Sequence, residues 1–143
     1  MAQRVLLYVE DDDAAFLTME LALREFQAPI ELHRAADGEQ ALAFVCKEAP
    51  YEGAPRPDLI LLDLNLPKKS GIEVLAELKG DESLRSIPVV MFSSSLREID
   101  RDRSLELGAE QYLTKPSSFE RFVEAVKRAC SFPEAETGES ASS

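Results

Sequence analysis

The chain has 143 residues, and 27 Asp and Glu against 16 Lys and Arg leave a formal charge of −11. One domain with one core is expected at this length, and that charge, with no basic cluster to offset it, argues against a nucleic-acid partner. No apolar stretch approaches the roughly 20 residues that cross a bilayer, and no basic region precedes a hydrophobic signal core, so a cytoplasmic protein with no membrane partner is expected.

Short apolar runs alternate with longer amphipathic stretches, the pattern of repeated βα units around a parallel sheet. The first strand is expected at Val5–Val9, running into Glu10-Asp11-Asp12-Asp13. Phe16, Met19, Leu23 and Phe26 then recur at helical spacing until Pro29 closes the segment. Ile30–Ala35 reads as the second strand. Asp37-Gly38 opens a helix carrying Ala41, Leu42, Val45 and Cys46, and Pro50–Pro57, with Gly53 and three prolines, reads as an exposed loop.

Leu59–Asp63 is the third strand, an unbroken apolar run ending in a carboxylate. Gly71 introduces a helix with Ile72, Leu75 and Leu78 facing inward, and Ile87-Pro88 leads into a fourth strand at Val89–Phe92. The segment Leu96–Leu107 has crowded charges and poor apolar spacing, so a short or mobile element ending at Gly108 is expected there. Gln111–Thr114 is the fifth strand. Phe119, Phe122, Val123, Val126 and Cys130 mark a final helix packed on the sheet. The domain is expected to span residues 1–131. The acidic, Ser-rich stretch 132–143 is too polar to repay its own ordering and is expected to be disordered. Cys46 and Cys130 lack metal or redox spacing and read as buried thiols.

Right-handed crossovers bring the C-terminal ends of parallel strands to one edge of the sheet, where Glu10, Asp11, Asp63, Ser93 and Lys115 would converge. Taken singly each has an ordinary reading. Glu10–Asp13 suits a solvated helix start, Ser93–Ser95 a polar loop or helix cap, Lys115-Pro116 a turn, and Tyr112 a half-buried strand aromatic. Together they make a chemical site. Repelling carboxylates are relieved by a hard cation, and Mg²⁺ takes one or two carboxylates, a backbone carbonyl, waters and a phosphate, which suits Asp11 and Asp63. Glu10 or Asp12 could hold a metal-bound water. Asp63 could attack phosphorus to give an acyl phosphate, with Lys115 supplying positive charge and Ser93 a hydrogen bond to the transferring oxygens.

Val9-Glu10-Asp11, Leu61-Leu62-Asp63 with Pro67 and Gly71, Phe92-Ser93-Ser94, and Tyr112-Leu113-Thr114-Lys115-Pro116 occur in the order and spacing of a response-regulator receiver domain, which the chain resembles from Arg4 to Ser131. The resemblance implies an α/β, flavodoxin-like fold, a doubly wound five-stranded parallel sheet of order 2-1-3-4-5. It makes Asp63 the phospho-acceptor, Glu10 and Asp11 the Mg²⁺-binding acids, and Asn65 a metal ligand through its backbone carbonyl. Ser93 takes the hydroxyl position and Lys115 the lysine position, with Lys115–Pro116 expected to be cis. Phosphorylation would draw in Ser93, turn Tyr112 inward and reshape the face made by the fourth helix, fifth strand and fifth helix. Two departures are Glu for Asp at Glu10 and Ser for Thr at Ser93.

The Pro50–Pro57 insertion and the stretch Asp63–Lys79 resemble the stand-alone regulators of bacterial phytochromes. That implies a light-sensing histidine kinase as phosphoryl donor, an unspecified downstream protein, and room for a homodimer, in a switch rather than an enzyme. Two rivals come from other classes. A haloacid-dehalogenase-type phosphatase could use Asp11-Asp12-Asp13 after the first strand, but would need a further acidic pair beyond the lysine. A receiver-like module that never carries phosphate would have no use for Glu10, Asp11, Asp63 and Lys115 together, and a flavodoxin-like cofactor carrier would show a flavin absorbance.

Overall fold

The structure is a computed structural model and describes residues 3–131; the stretch 132–143 lies outside the described residues. Five parallel strands, β1 (Arg4–Val9), β2 (Ile30–Ala35), β3 (Leu59–Leu62), β4 (Val89–Ser93) and β5 (Gln111–Thr114), alternate with five helices, α1 (Asp13–Glu25), α2 (Gly38–Val45), α3 (Gly71–Gly80), α4 (Glu98–Leu107) and α5 (Phe119–Ala129). The sheet order is β2-β1-β3-β4-β5, as expected.

Period-two alternation divides each central strand between two cores. Leu7, Val9, Ile60, Leu62, Val89 and Met91 point to one face, where α2 and α3 close over them with Phe44, Val74, Leu75 and Leu78. Leu6, Tyr8, Leu59, Leu61, Val90 and Phe92 point to the other, covered by Met19, Ala22 and Leu23 of α1 and by Phe122, Val123 and Val126 of α5. Burial on both faces is why β3 and β4 read as continuous apolar runs instead of alternating ones.

Helix starts follow local chemistry. Asp12, Asp37 and Ser118 cap α1, α2 and α5 through their side-chain oxygens, and Ser70 with Glu73 forms a reciprocal capping box on α3. The element between Leu96 and Leu107 is a ten-residue helix rather than a short one, ended by Gly108 at φ 114. Its buried residue is Ser104, whose hydroxyl donates to the Asp100 carbonyl at 2.7 Å. Poor apolar spacing thus reflects a helix lying on the domain with most of its surface in solvent.

Three local expectations are corrected. Cys46 is exposed, because it falls at the C-cap of α2, where the helix has already turned off the core; Cys130 is partly buried, which pushes its thiol up to about 12. The Pro50–Pro57 loop is not wholly exposed, since Tyr51 and Ala54 pack against the core and Pro57 is buried. Phe119 opens α5 but stays 42% exposed, one turn short of the sheet-facing Phe122 and Val123.

Gly71 places α3 against the end of β3. A Cβ there would stand 2.1 Å from the Asp63 carbonyl oxygen, and Gly71 N–H donates to the Leu64 carbonyl at 2.8 Å. Gly71→Ala must therefore push the loop off the end of β3, and a loss of about 2 kcal/mol or more is expected, read as a lower urea midpoint at unchanged slope. For the thiols, mildly alkaline alkylation of the folded protein should label Cys46, whereas Cys130 should react only after denaturant is added.

Candidate functional site

The ladder hydrogen bonds continue one residue past the strand ends and set three side chains level. Glu10 N–H donates to the Ala35 carbonyl at 2.9 Å, Asp63 N–H to Val9 at 3.3 Å and Lys115 N–H to Ser93 at 2.8 Å. Parallel register, with Val9 beside Leu62 and Ser93 beside Thr114, leaves Glu10, Asp63 and Lys115 on the same edge of the sheet.

There the lysine joins two acids separated from it by 52 and 105 residues. Lys115 Nζ donates to Asp63 Oδ2 at 2.9 Å and also to Glu10 Oε1. Both carboxylates are buried, Glu10 at 2% exposure and Asp63 at 7%, so the ammonium supplies the counter-charge that the missing water would have given. Both carboxylates take further hydrogen bonds. Tyr8 OH donates to Glu10 Oε1 at 3.2 Å, Asp12 N–H to Glu10 Oε2 at 3.2 Å, and Asn65 N–H to Asp63 Oδ1 at 3.3 Å.

Burial works against charge on Lys115, but hydrogen bonds and attraction from Glu10 and Asp63 outweigh it, and its pKa rises above the ordinary lysine value. Tyr8 is raised too, first by burial and then by the Glu10 carboxylate beside it. The phenol stays neutral and donates.

Asp11 is exposed and lies outside this hydrogen-bonded set. Among the described residues no three His, Cys, Asp or Glu side chains form a metal-holding group, so the acids that meet are Glu10 and Asp63, with Asp11 at their rim in sequence. Lys115–Pro116 is not cis: among the described residues the cis bond is Ala49–Pro50. The lysine reaches both acids from the trans bond that X–Pro ordinarily prefers by about 0.5–1 kcal/mol.

Ser93 is fully buried at the end of β4, and its Oγ accepts from Ser95 N–H at 3.2 Å. Half-buried Tyr112 donates its hydroxyl to the Ser95 carbonyl at 2.9 Å. Ser95 Oγ in turn donates to Asp100 Oδ2 of α4 at 2.6 Å and accepts from Arg97 N–H at 3.3 Å. Ser95 was legible only as the third residue of a serine run. Tyr8, expected only as part of the first strand, sits two residues before Glu10 and so on the same face of the strand.

A family model of the response regulator receiver domain matches residues 6–127. Response regulator Rcp1 of Synechocystis sp. is 43% identical over 129 residues, 90% of this chain and 88% of that one. The crystal structure of the phosphorylated cyanobacterial phytochrome response regulator RcpA superposes with a TM-score of 0.83 at 42% identity, covering 89% of this chain and 91% of its own. That of the Mn²⁺-bound form of Rcp1 gives 0.81 at 42% identity, covering 87% and 90%.

The raised pKa values have a sign. Lys115 and Tyr8 bind their protons more tightly folded than unfolded, so their contributions are complete below the unfolded values of 10.5 and 10.0 and are lost as pH climbs towards the folded ones. Urea midpoints should therefore fall above about pH 10. Lys115→Met should lower neutral-pH stability by up to about 3 kcal/mol, and Lys115→Met and Tyr8→Phe should each remove part of that alkaline slope, leaving the share of the Cys130 thiol.

Proposed function

The chain belongs to the response regulator receiver family, and from that membership we propose that its receiver domain, residues 1–131, is a switch which accepts a phosphoryl group on Asp63 from a sensor histidine kinase. The observation that carries the reading is the Lys115 bridge between Asp63 and Glu10 at the buried edge of the sheet. In the transfer, an Asp63 carboxylate oxygen forms a bond to phosphorus as the bond from phosphorus to the donor nitrogen breaks, and the electron pair leaves with the imidazole. Lys115, already charged and poised on Asp63 Oδ2, follows the negative charge onto the phosphoryl oxygens.

The donor set fits a hard divalent cation, being carboxylate and carbonyl oxygen without sulfur or imidazole. Glu10, Asp11, Asp63 and the Asn65 carbonyl would hold Mg²⁺, which when bound offsets charge on the transferring oxygens. The similar Rcp1 has a Mn²⁺-bound form, which supports the assignment.

The readout runs through Ser95. A Ser93 hydroxyl drawn to the phosphoryl group gives up its bond from Ser95 N–H, and Ser95 also holds Tyr112, Arg97 and Asp100. Movement at Asp63 is thereby coupled to α4 and β5. Exposed Leu96 just before α4, with Ile99 and Leu105 on it, provides apolar surface for a downstream protein or a second copy. Likeness to the cyanobacterial phytochrome response regulator RcpA supports a phytochrome as the kinase, and membership of the receiver family a cytoplasmic setting. The phosphatase alternative is disfavoured because its nucleophile, Asp11, is the exposed acid with no bond to Lys115.

Incubation with Mg²⁺ and a small acyl phosphate should add one phosphoryl group by intact mass. Asp63→Asn and removal of Mg²⁺ should each abolish the adduct. Ser93→Ala should slow labelling by about tenfold, the worth of one hydrogen bond to a charged group at ~1.4 kcal/mol. Labelling retained in Asp63→Asn would refute the assignment.

A further inference from the structure

Arg34 stands at the C-terminal end of the edge strand β2, paired in register with Tyr8 of β1. Its Nε donates to the Glu10 carbonyl oxygen at 3.0 Å, its Nη1 donates to Asp13 Oδ1 at 2.8 Å, and its guanidinium carbon lies 5.2 Å from the centroid of the Phe16 ring. Asp13 and Phe16 belong to the first turn of α1. One planar group thus spans the whole turn from the end of β1 to the start of the helix.

The bonded carbonyl belongs to the peptide that joins Glu10 to Asp11. Glu10 N–H is held by Ala35, and Asp12 N–H by the Glu10 carboxylate. With Arg34 on the carbonyl between them, the backbone carrying Asp11 is pinned from both sides although its side chain is free in solvent. We infer that Arg34 is a positioning residue for cation binding, setting the Glu10–Asp11 peptide so that the two acids address one ion. This rests on the phosphorylation reading, in which that acidic pair is the Mg²⁺ site.

Charge and geometry make opposite forecasts, which separates positioning from a simple field effect. A guanidinium beside carboxylates repels an incoming cation, so if only its field mattered, deleting it would tighten Mg²⁺ binding. If it orients the turn, deleting it weakens binding. Lysine discriminates further, because an ammonium keeps the charge but cannot serve the Glu10 carbonyl and the Asp13 carboxylate in the fixed fork that arginine offers.

Mg²⁺ titration calorimetry of the full chain, with R34K and R34M beside the unaltered protein and urea unfolding to verify that each is folded, tests the inference. R34K and R34M should both weaken Mg²⁺ about tenfold, the low end for groups that orient metal ligands, and saturating Mg²⁺ should return R34K to the unaltered labelling rate. Unchanged affinity in R34K, or tighter binding in R34M, would overturn it, as would a labelling deficit that saturating Mg²⁺ leaves in place. If R34M does not fold, R34K decides alone. No Mg²⁺ binding by the unaltered chain would bring down the phosphorylation reading as well, whereas normal binding and labelling in every variant would remove only the role of Arg34.

Discussion

The ammonium of Lys115 between the carboxylates of Glu10 and Asp63 is the interaction on which the site depends. Two acids this deeply buried cannot share an edge of a sheet without a compensating charge, and the cost of leaving them unpaired is of order several kcal/mol. The lysine offsets that repulsion and leaves one of the two acids on a loop from which it can meet another molecule. The arrangement is also changeable. A charge that serves two carboxylates is also available to a third anion brought against Asp63.

The doubly wound sheet brings such remote groups together with little local help. Parallel strands of this order have their C-terminal ends on one edge, and the backbone bonds that extend β1, β3 and β5 by one residue place Glu10, Asp63 and Lys115 in line. Gly71 completes the support by letting α3 start directly behind the Asp63 carbonyl, an approach that any side chain would block. Gly108 serves a different need, ending α4 in the left-handed region just before β5 begins.

Stability is drawn unevenly from the fold. The two cores on either face of the sheet bury β1, β3 and β4 almost completely, whereas α4 is held by little more than Ser104, Leu107 and the polar links through Ser95. Elements with few buried apolar contacts open at the low end of a protein's stability range. The helix joined to Ser93 by a hydrogen-bonded serine is therefore also the one least anchored by the core, a combination suited to a bistable surface.

Much of this was legible in the chain itself. Alternating apolar runs and amphipathic stretches determined five strands and five helices, and the acids and lysine that follow Val9, Leu62 and Thr114 determined which edge carries chemistry, because burial pattern and element type are encoded within a few neighbouring residues. Tertiary structure alone decided which of those groups touch. That Lys115 meets Glu10 rather than Asp11, that Arg34 fastens the turn between them, that Ser95 relays Ser93 to α4, and that Cys46 faces solvent are all pairings between residues far apart in sequence or choices of face at a helix end. No local pattern specifies them, since they arise only when strand order, register and crossover bring separate ends of the chain to one place.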